Sequence, residues 1–177
     1  MCRFDRRDSG VGSGDSQGRT AVTVGSFVIR PDELDDPAVR GLLEYHVQQM
    51  HAQSPPGSVY ALDLSGLRQP QVRVWSVWRD EVLAAVGALR TPDDGGGELK
   101  SMRTHPAFLR QGAAAALLEH LIAVARAEGL QRLSLETGSG AAFAPALALY
   151  RRRGFRNGPA FGDYVPSAFN QFLHLPL

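Results

Sequence analysis

Between Glu98 and Leu135 a strand, a turn of small residues, a helix and a second strand follow each other closely, and this order restricts the fold more than anything else in the chain. Glu98-Leu99-Lys100-Ser101-Met102-Arg103-Thr104 has the texture of a strand, and Pro106, which lacks the N–H a ladder needs, stops it. After Arg110-Gln111-Gly112 come consecutive alanines, then Leu117, Leu118, Leu121, Ile122 and Ala125 on one face of a helix that Gly129 ends. Leu133-Ser134-Leu135 is a further strand. Pro145 then opens a short helix reaching Arg153, Gly154 stops it, Phe155 opens another strand, and the last strand spans Phe169 to Leu175.

Upstream, Ser26 to Arg30 is a short β-prone run that Pro31 closes. Asp35 or Asp36 caps a helix with Pro37 in its first turn, and Val39, Leu42, Leu43, Val47 and Met50 recur along it until about His51. Ser54-Pro55-Pro56-Gly57 breaks the chain, and the state of Val59 to Leu67 is open. Val72 to Trp78 and Val82 to Leu89, joined at Arg79-Asp80, read as an antiparallel pair, followed by a loop through Asp93, Asp94 and Gly95 to Gly97. Strands that first meander and then alternate with helices define an α+β (mixed α/β) class around one largely antiparallel sheet flanked by helices. Residues 1–24, rich in Gly and Ser with almost no large apolar side chain, read as a flexible tail before a single domain over 25–177.

A net charge of +1 leaves no global field to select nucleic acid or an anionic membrane. Arg151, Arg152 and Arg153 form the only dense basic run, and cations in the last turn of a helix are favourable by themselves. With Cys2 as the one cysteine, disulfides within the chain and a Cys-cluster metal site are excluded. His46 and His51 are poorly phased for shared ligation, so no metal is expected. No apolar run approaches a membrane span and no secretory signal is visible, so the expectation is a cytoplasmic protein.

Residues 110–115 present a helix N-terminus whose unpaired N–H groups suit an anionic phosphate. Gly112, Ala113, Ala114 and Ala115 let the backbone approach closely, and Arg110 adds a cation. Read without a ligand, Gly112 is a loop glycine and the alanines are helix formers. A dinucleotide-binding domain does not fit, because the Gly-x-Gly-x-x-Gly spacing is missing.

The strand Glu98 to Thr104, the turn Arg110-Gln111-Gly112-Ala113-Ala114, its helix, and Leu149-Tyr150 followed by Gly154-Phe155 together resemble the GNAT superfamily of acyl-coenzyme A acetyltransferases over residues 26 to 177. Gly112 and Ala114 match that family's loop signature, whereas its leading basic or Gln position is Leu109, with the charge at Arg110. Phe143 stands where the family often has Asn, leaving Ser139 as the replacement contact to the cofactor arm.

The resemblance implies acetyl-CoA as cosubstrate, held by the phosphate loop including Gln111 and by the strand edge at Met102, Arg103 and Thr104. It also implies a bulge at or beside Ser101, and an oxyanion held by the N–H near Met102. Transfer to an amine needs a base and a proton donor for the leaving thiolate. Glu98 is the expected base, with Lys100 on the same strand face, and Tyr150 the expected acid. The acceptor is expected to be a primary amine of a small molecule or amino acid derivative. Its pocket would draw on the end of the first helix, the Ser54-Pro55-Pro56 loop, Asp163 and Tyr164, with Trp75, Trp78 and Tyr60 as candidate floor or core residues. A protein or peptide acetyltransferase and a non-catalytic acyl-CoA-binding regulatory module stay open, as does a homodimer.

Overall fold

The computed structural model describes residues 20–92 and 94–177. Most of the expected tail, residues 1–19, lies outside the described residues, but Val22–Val24 within it form strand β1. β1 pairs antiparallel with β2, Phe27–Asp32. Pro31 does not close that strand. Beyond Ile29, β2 has no partner on the β1 side among the described residues, so a proline there removes no ladder bond between them.

Helix α1, Pro37–Gln53, starts where Asp36 accepts a hydrogen bond from the Ala38 N–H at 2.8 Å, and it buries Val39, Leu42, Leu43 and His46. The stretch left open by the sequence ends in a one-turn helix, α2 (Leu64–Leu67), capped by Asp63, which accepts from the Gly66 N–H at 2.8 Å. Strands β3 (Val72–Arg79) and β4 (Val82–Arg90) join through Asp80 and Glu81, both at positive φ (48° and 61°), as a two-residue hairpin turn requires.

Strand β5 is Gly96–Thr104 and begins in the glycines expected to be loop. A Cβ at Gly97 would lie 2.8 Å from Leu133 and 2.9 Å from Leu130, so the strand can start this close to its neighbours only without a side chain. A 3-10 turn (Pro106–Phe108) leads to α3 (Ala113–Ala127), then β6 (Arg132–Gly138), α4 (Ala144–Arg152), β7 (Arg156–Asn157) and β8 (Asn170–Pro176).

The strands form one sheet in the order β1-β2-β3-β4-β5-β6-β8-β7, antiparallel except for the neighbours β5 and β6, which α3 connects. Both faces are covered. Phe27, Ile29, Trp75, Leu99, Leu133 and Leu135 pack with α3 and α4, while Val72, Val74, Trp78 and Val86 pack with Val39, Leu42 and Leu43 of α1 and with Leu67 of α2. The two tryptophans are therefore core residues on opposite faces and do not floor a pocket.

Two irregularities open the sheet at its centre. β5 and β6 pair only over Gly96 to Glu98 with Arg132 to Ser134, and beyond that point β5 is held by β4 and β6 by β8. On the β4 side the register shifts, so that Ser101 and Met102 stand against Gly87 alone, with Ser101 at φ 53°. This is the bulge that the sequence resemblance implies at Ser101.

Gly87 makes room for it. A Cβ there would sit 2.4 Å from the Met102 sulfur and 3.0 Å from Leu117. Gly87→Ala is expected to lower unfolding free energy by about 1–3 kcal/mol, the range for overpacking a core. Urea denaturation of the variant checks this, and an unchanged midpoint would show that Met102 moves aside without cost.

Candidate active site

The helix of a strand-helix-strand unit starts at the carboxyl end of its first strand, so the α3 N-terminus lies at the end where β5 and β6 diverge. Gly112 is its N-cap, left-handed at φ 93° and without a side-chain capping bond; the first helical bond runs from Ala116 N–H to the Gly112 carbonyl at 2.9 Å. The N–H groups of Ala113, Ala114 and Ala115 thus precede any intrahelical acceptor and can hold an anion. Arg110, at φ 60°, and Leu109 are exposed beside them. Gln111 is turned away: its amide donates to the Ala107 carbonyl at 2.7 Å and accepts from Arg79 at 2.7 Å.

The gap between β5 and β6 is a narrow cleft of about 150 Å³. Ser101, Met102 and Arg103 form one wall, Glu136 and Thr137 the other, and Tyr150 and Phe143 line it as well. His46 and Met50 from the second half of α1, Ser54 just after it, and Tyr60 from the following loop complete it. Thr104 lies at the end of β5, paired with Ala85. Ser139 is not part of the lining and accepts a hydrogen bond from Gln171 at 3.0 Å. Phe143 packs edge-on against Phe169 over Gly138, where a Cβ would be 2.6 Å from either ring, so this position is an apolar wall.

Tyr150 is 7% exposed, and burial pushes its phenol well above the ordinary value, so it stays protonated at neutral pH. Glu98 is 3% exposed with both carboxylate oxygens engaged. One accepts from the Tyr164 hydroxyl and lies 3.3 Å from Lys100; the other accepts from Arg90 at 3.2 Å. Lys100 in turn donates to the Tyr164 oxygen at 2.6 Å and to the Tyr60 carbonyl at 3.0 Å. Tyr164, clustered with Tyr60, Phe161 and Phe172, has its phenol raised by burial and by Glu98. Asp163 lies apart from this cleft, on a neighbouring cavity of about 640 Å³ with Arg90 and Arg132.

Glu136 was not singled out in the sequence. Its carboxyl is raised from 4.5 to about 7, first by burial and also by Glu98, against the opposing effect of Lys100. Among the described residues no cation stands within ion-pair distance of it. The available signal was alternation: Leu133 and Leu135 face the core under α3, which places Ser134 and Glu136 on the opposite face.

Arg103 reaches toward α1, where its Nε–H donates to His46 Nδ1 at 3.2 Å and its guanidinium lies over the Tyr45 ring. Burial, with Arg103 and Lys100 nearby, lowers His46 to about 4, so the ring accepting that bond is neutral. The basic run at the end of α4 is absorbed by local partners, with Arg151 on Asn157 and Arg153 on Glu119. Among the described residues no cluster of metal-ligating side chains occurs, and no helix is long and apolar enough to cross a membrane.

A model of the acetyltransferase (GNAT) family matches residues 39–155. The chain is 48% identical over 151 residues to the uncharacterized N-acetyltransferase YedL of Escherichia coli, covering 85% of this chain and 95% of the relative. It is 45% identical over 145 residues to the uncharacterized N-acetyltransferase YsnE of Bacillus subtilis, covering 82% and 96%. A solved structure of a candidate acyl-CoA N-acyltransferase from Klebsiella pneumoniae superposes with a TM-score of 0.72 at 27% identity, covering 85% of this chain and 97% of that one. The chain belongs to the GNAT family and is an acetyl-CoA-dependent N-acetyltransferase.

The buried neutral His46 has a consequence for stability. Its folded value of about 4 lies below the ordinary 6.5, so its contribution is fully present above pH 6.5 and is lost as pH falls toward 4. The unfolding free energy is expected to fall across that window, by about 3 kcal/mol from this group. His46→Gln should flatten the dependence in urea titrations taken at several pH values, and an equal slope in wild type and variant would remove His46 from the account.

Proposed function

We propose that the protein transfers acetyl from acetyl-CoA to a primary amine of a small molecule or amino acid derivative by direct attack in a ternary complex, with Glu136 as general base and Tyr150 as general acid. The observation that carries this reading is that a free carboxylate raised to about 7 and a buried, protonated phenol line the same narrow cleft. An acceptor ammonium must lose a proton before it attacks, and a base is most effective when its pKa lies near the working pH. Glu136 meets that condition, and no group on the protein competes for its carboxylate among the described residues.

Glu98, the base expected from the sequence, has both oxygens occupied by Tyr164, Lys100 and Arg90, so its proposed role is to position Lys100 at the cleft wall. Tyr150 gives its proton to the leaving sulfur. Between them, the N–H near Met102, on the unpaired edge of β5, faces the charge that develops on the carbonyl oxygen.

Acetyl-CoA, when bound, supplies the activated acetyl thioester. The residues fit it in two respects. The edges of β5 and β6 beyond Glu98 leave backbone groups free to pair with an extended amide chain, and the uncapped α3 N-terminus after Gly112 suits a pyrophosphate, with Arg110 as the nearby cation. A GNAT acetyltransferase from Elizabethkingia anophelis with acetyl-CoA bound shares this fold, with a TM-score of 0.61. The narrow cleft favours a small acceptor over a peptide lying in a wide groove.

Tyr150→Phe is expected to lower kcat by about 100-fold, in the range for losing a general acid, while the protein still binds acetyl-CoA by calorimetry. Because Glu136 is the base only when ionised, kcat/KM should rise with pH through about 7, and Glu136→Gln should remove that limb. Thiol release followed from pH 5.5 to 9 checks both expectations; an unaltered limb in Glu136→Gln would sink the base assignment.

A further inference from the structure

We infer that the acceptor carries a carboxylate and that the Arg103 guanidinium recognises it, which makes the substrate an amino acid or a close amino-carboxylate. This inference rests on the acetyl-transfer reading and narrows its substrate class.

Arg103 is the cation of the cleft that has no anion. Among the described residues no carboxylate lies within ion-pair distance of it, and one of its terminal NH2 groups is buried without any hydrogen-bond partner. The contacts it does make leave its charge intact, since His46 accepts from Nε as a neutral ring and Tyr45 offers its aromatic face. Those contacts also fix the orientation of the guanidinium plane. A guanidinium held in place, with one buried terminal NH2 group lacking an acceptor, is suited to a carboxylate, which can take two parallel hydrogen bonds from it.

A second orphan lies in the same wall. Ser101 is 7% exposed, its Oγ has no partner, and it lines the cleft two residues from Arg103. It occupies the bulge, where a positive φ turns the backbone out of the ladder. Its hydroxyl is a further unpartnered donor on the wall that carries Arg103.

The other cation of the cleft cannot serve. Lys100 is already shared among Glu98, the Tyr164 hydroxyl and the Tyr60 carbonyl. The free carboxylate, Glu136, belongs to the opposite wall. One wall therefore presents an unpaired cation and the other an unpaired carboxylate, the complement of a molecule with a carboxylate at one end and an amine at the other. A plain amine would leave the buried terminal NH2 group of Arg103 without an acceptor.

The test uses pairs of acceptors that differ only in the carboxylate, each an amino acid and its decarboxylated amine, with short, long and aromatic side chains. Thiol release is measured at saturating acetyl-CoA, and calorimetry measures binding of the same compounds to the protein loaded with CoA. In at least one pair the carboxylate-bearing member should be preferred by about 10-fold or more in both readouts. Arg103→Gln, which keeps a donor toward His46, should reduce that preference by about 10- to 100-fold, the range for removing a charged hydrogen-bonded partner. Arg103→Lys, which keeps the charge but not the fork, should restore part of it. A preference near one in every pair, or a preference that survives Arg103→Gln, overturns the inference. Carboxylate-selective binding that depends on Arg103, without thiol release, upholds the anchor and overturns acetyl transfer; thiol release with no preference between pair members does the opposite.

Discussion

The divergence of two parallel neighbours in an otherwise antiparallel sheet is the constraint on which the rest of this structure depends. β5 and β6 exchange hydrogen bonds only from Gly96 to Glu98, after which each keeps a single partner. Buried strand edges without partners are costly, so they persist where a ligand supplies the missing pairing. The bulge at Ser101 and Met102 steers β5 away, and Gly87 admits the Met102 side chain that the bulge throws inward. The same divergence leaves the uncapped α3 N-terminus at the end of the sheet where the strand edges are open.

Chemistry on the other side of the gap comes from side chains that the sheet brings together from distant parts of the chain. Glu98 and Lys100 from β5, Arg90 from β4, and Tyr164 from the loop before β8 form a closed set of charged hydrogen bonds in which every strong acceptor is occupied. Outside that set, Glu136 and Arg103 have no ion-pair partner among the described residues. Both line a cleft walled by Phe143 and Tyr150, at the place where the sheet opens.

Much of the scaffold was legible because it is set by local backbone preference. Pro37 after Asp36, Gly112 before the alanines, and Gly154 after the arginines mark helix ends within a few residues of those found. The errors have equally local causes. Pro31 does not end β2 because its missing N–H falls on an open edge, and Gly97 is strand rather than loop at a point where Leu130 and Leu133 leave no room for a side chain. Val22–Val24 pair only because β2 folds back beside them. Of the residues expected at the site, Tyr150, Met102 and Arg103 line the cleft, whereas the side chains of Ser139 and Gln111 turn to neighbours at other positions, Gln171 and Arg79.

The sequence by itself determined that a strand, an anion-compatible helix start and a Tyr-bearing helix follow each other in this order, because proline, glycine and apolar spacing act over a few residues of backbone. Only the tertiary structure decided which carboxylate is free. Glu98 and Glu136 look alike as isolated glutamates on short strands, yet one is filled by Arg90, Lys100 and Tyr164 and the other is left desolvated and alone. Charge state and availability depend on burial and on every nearby charge, summed over residues separated by tens of positions in the chain, and that sum exists only once the sheet has formed.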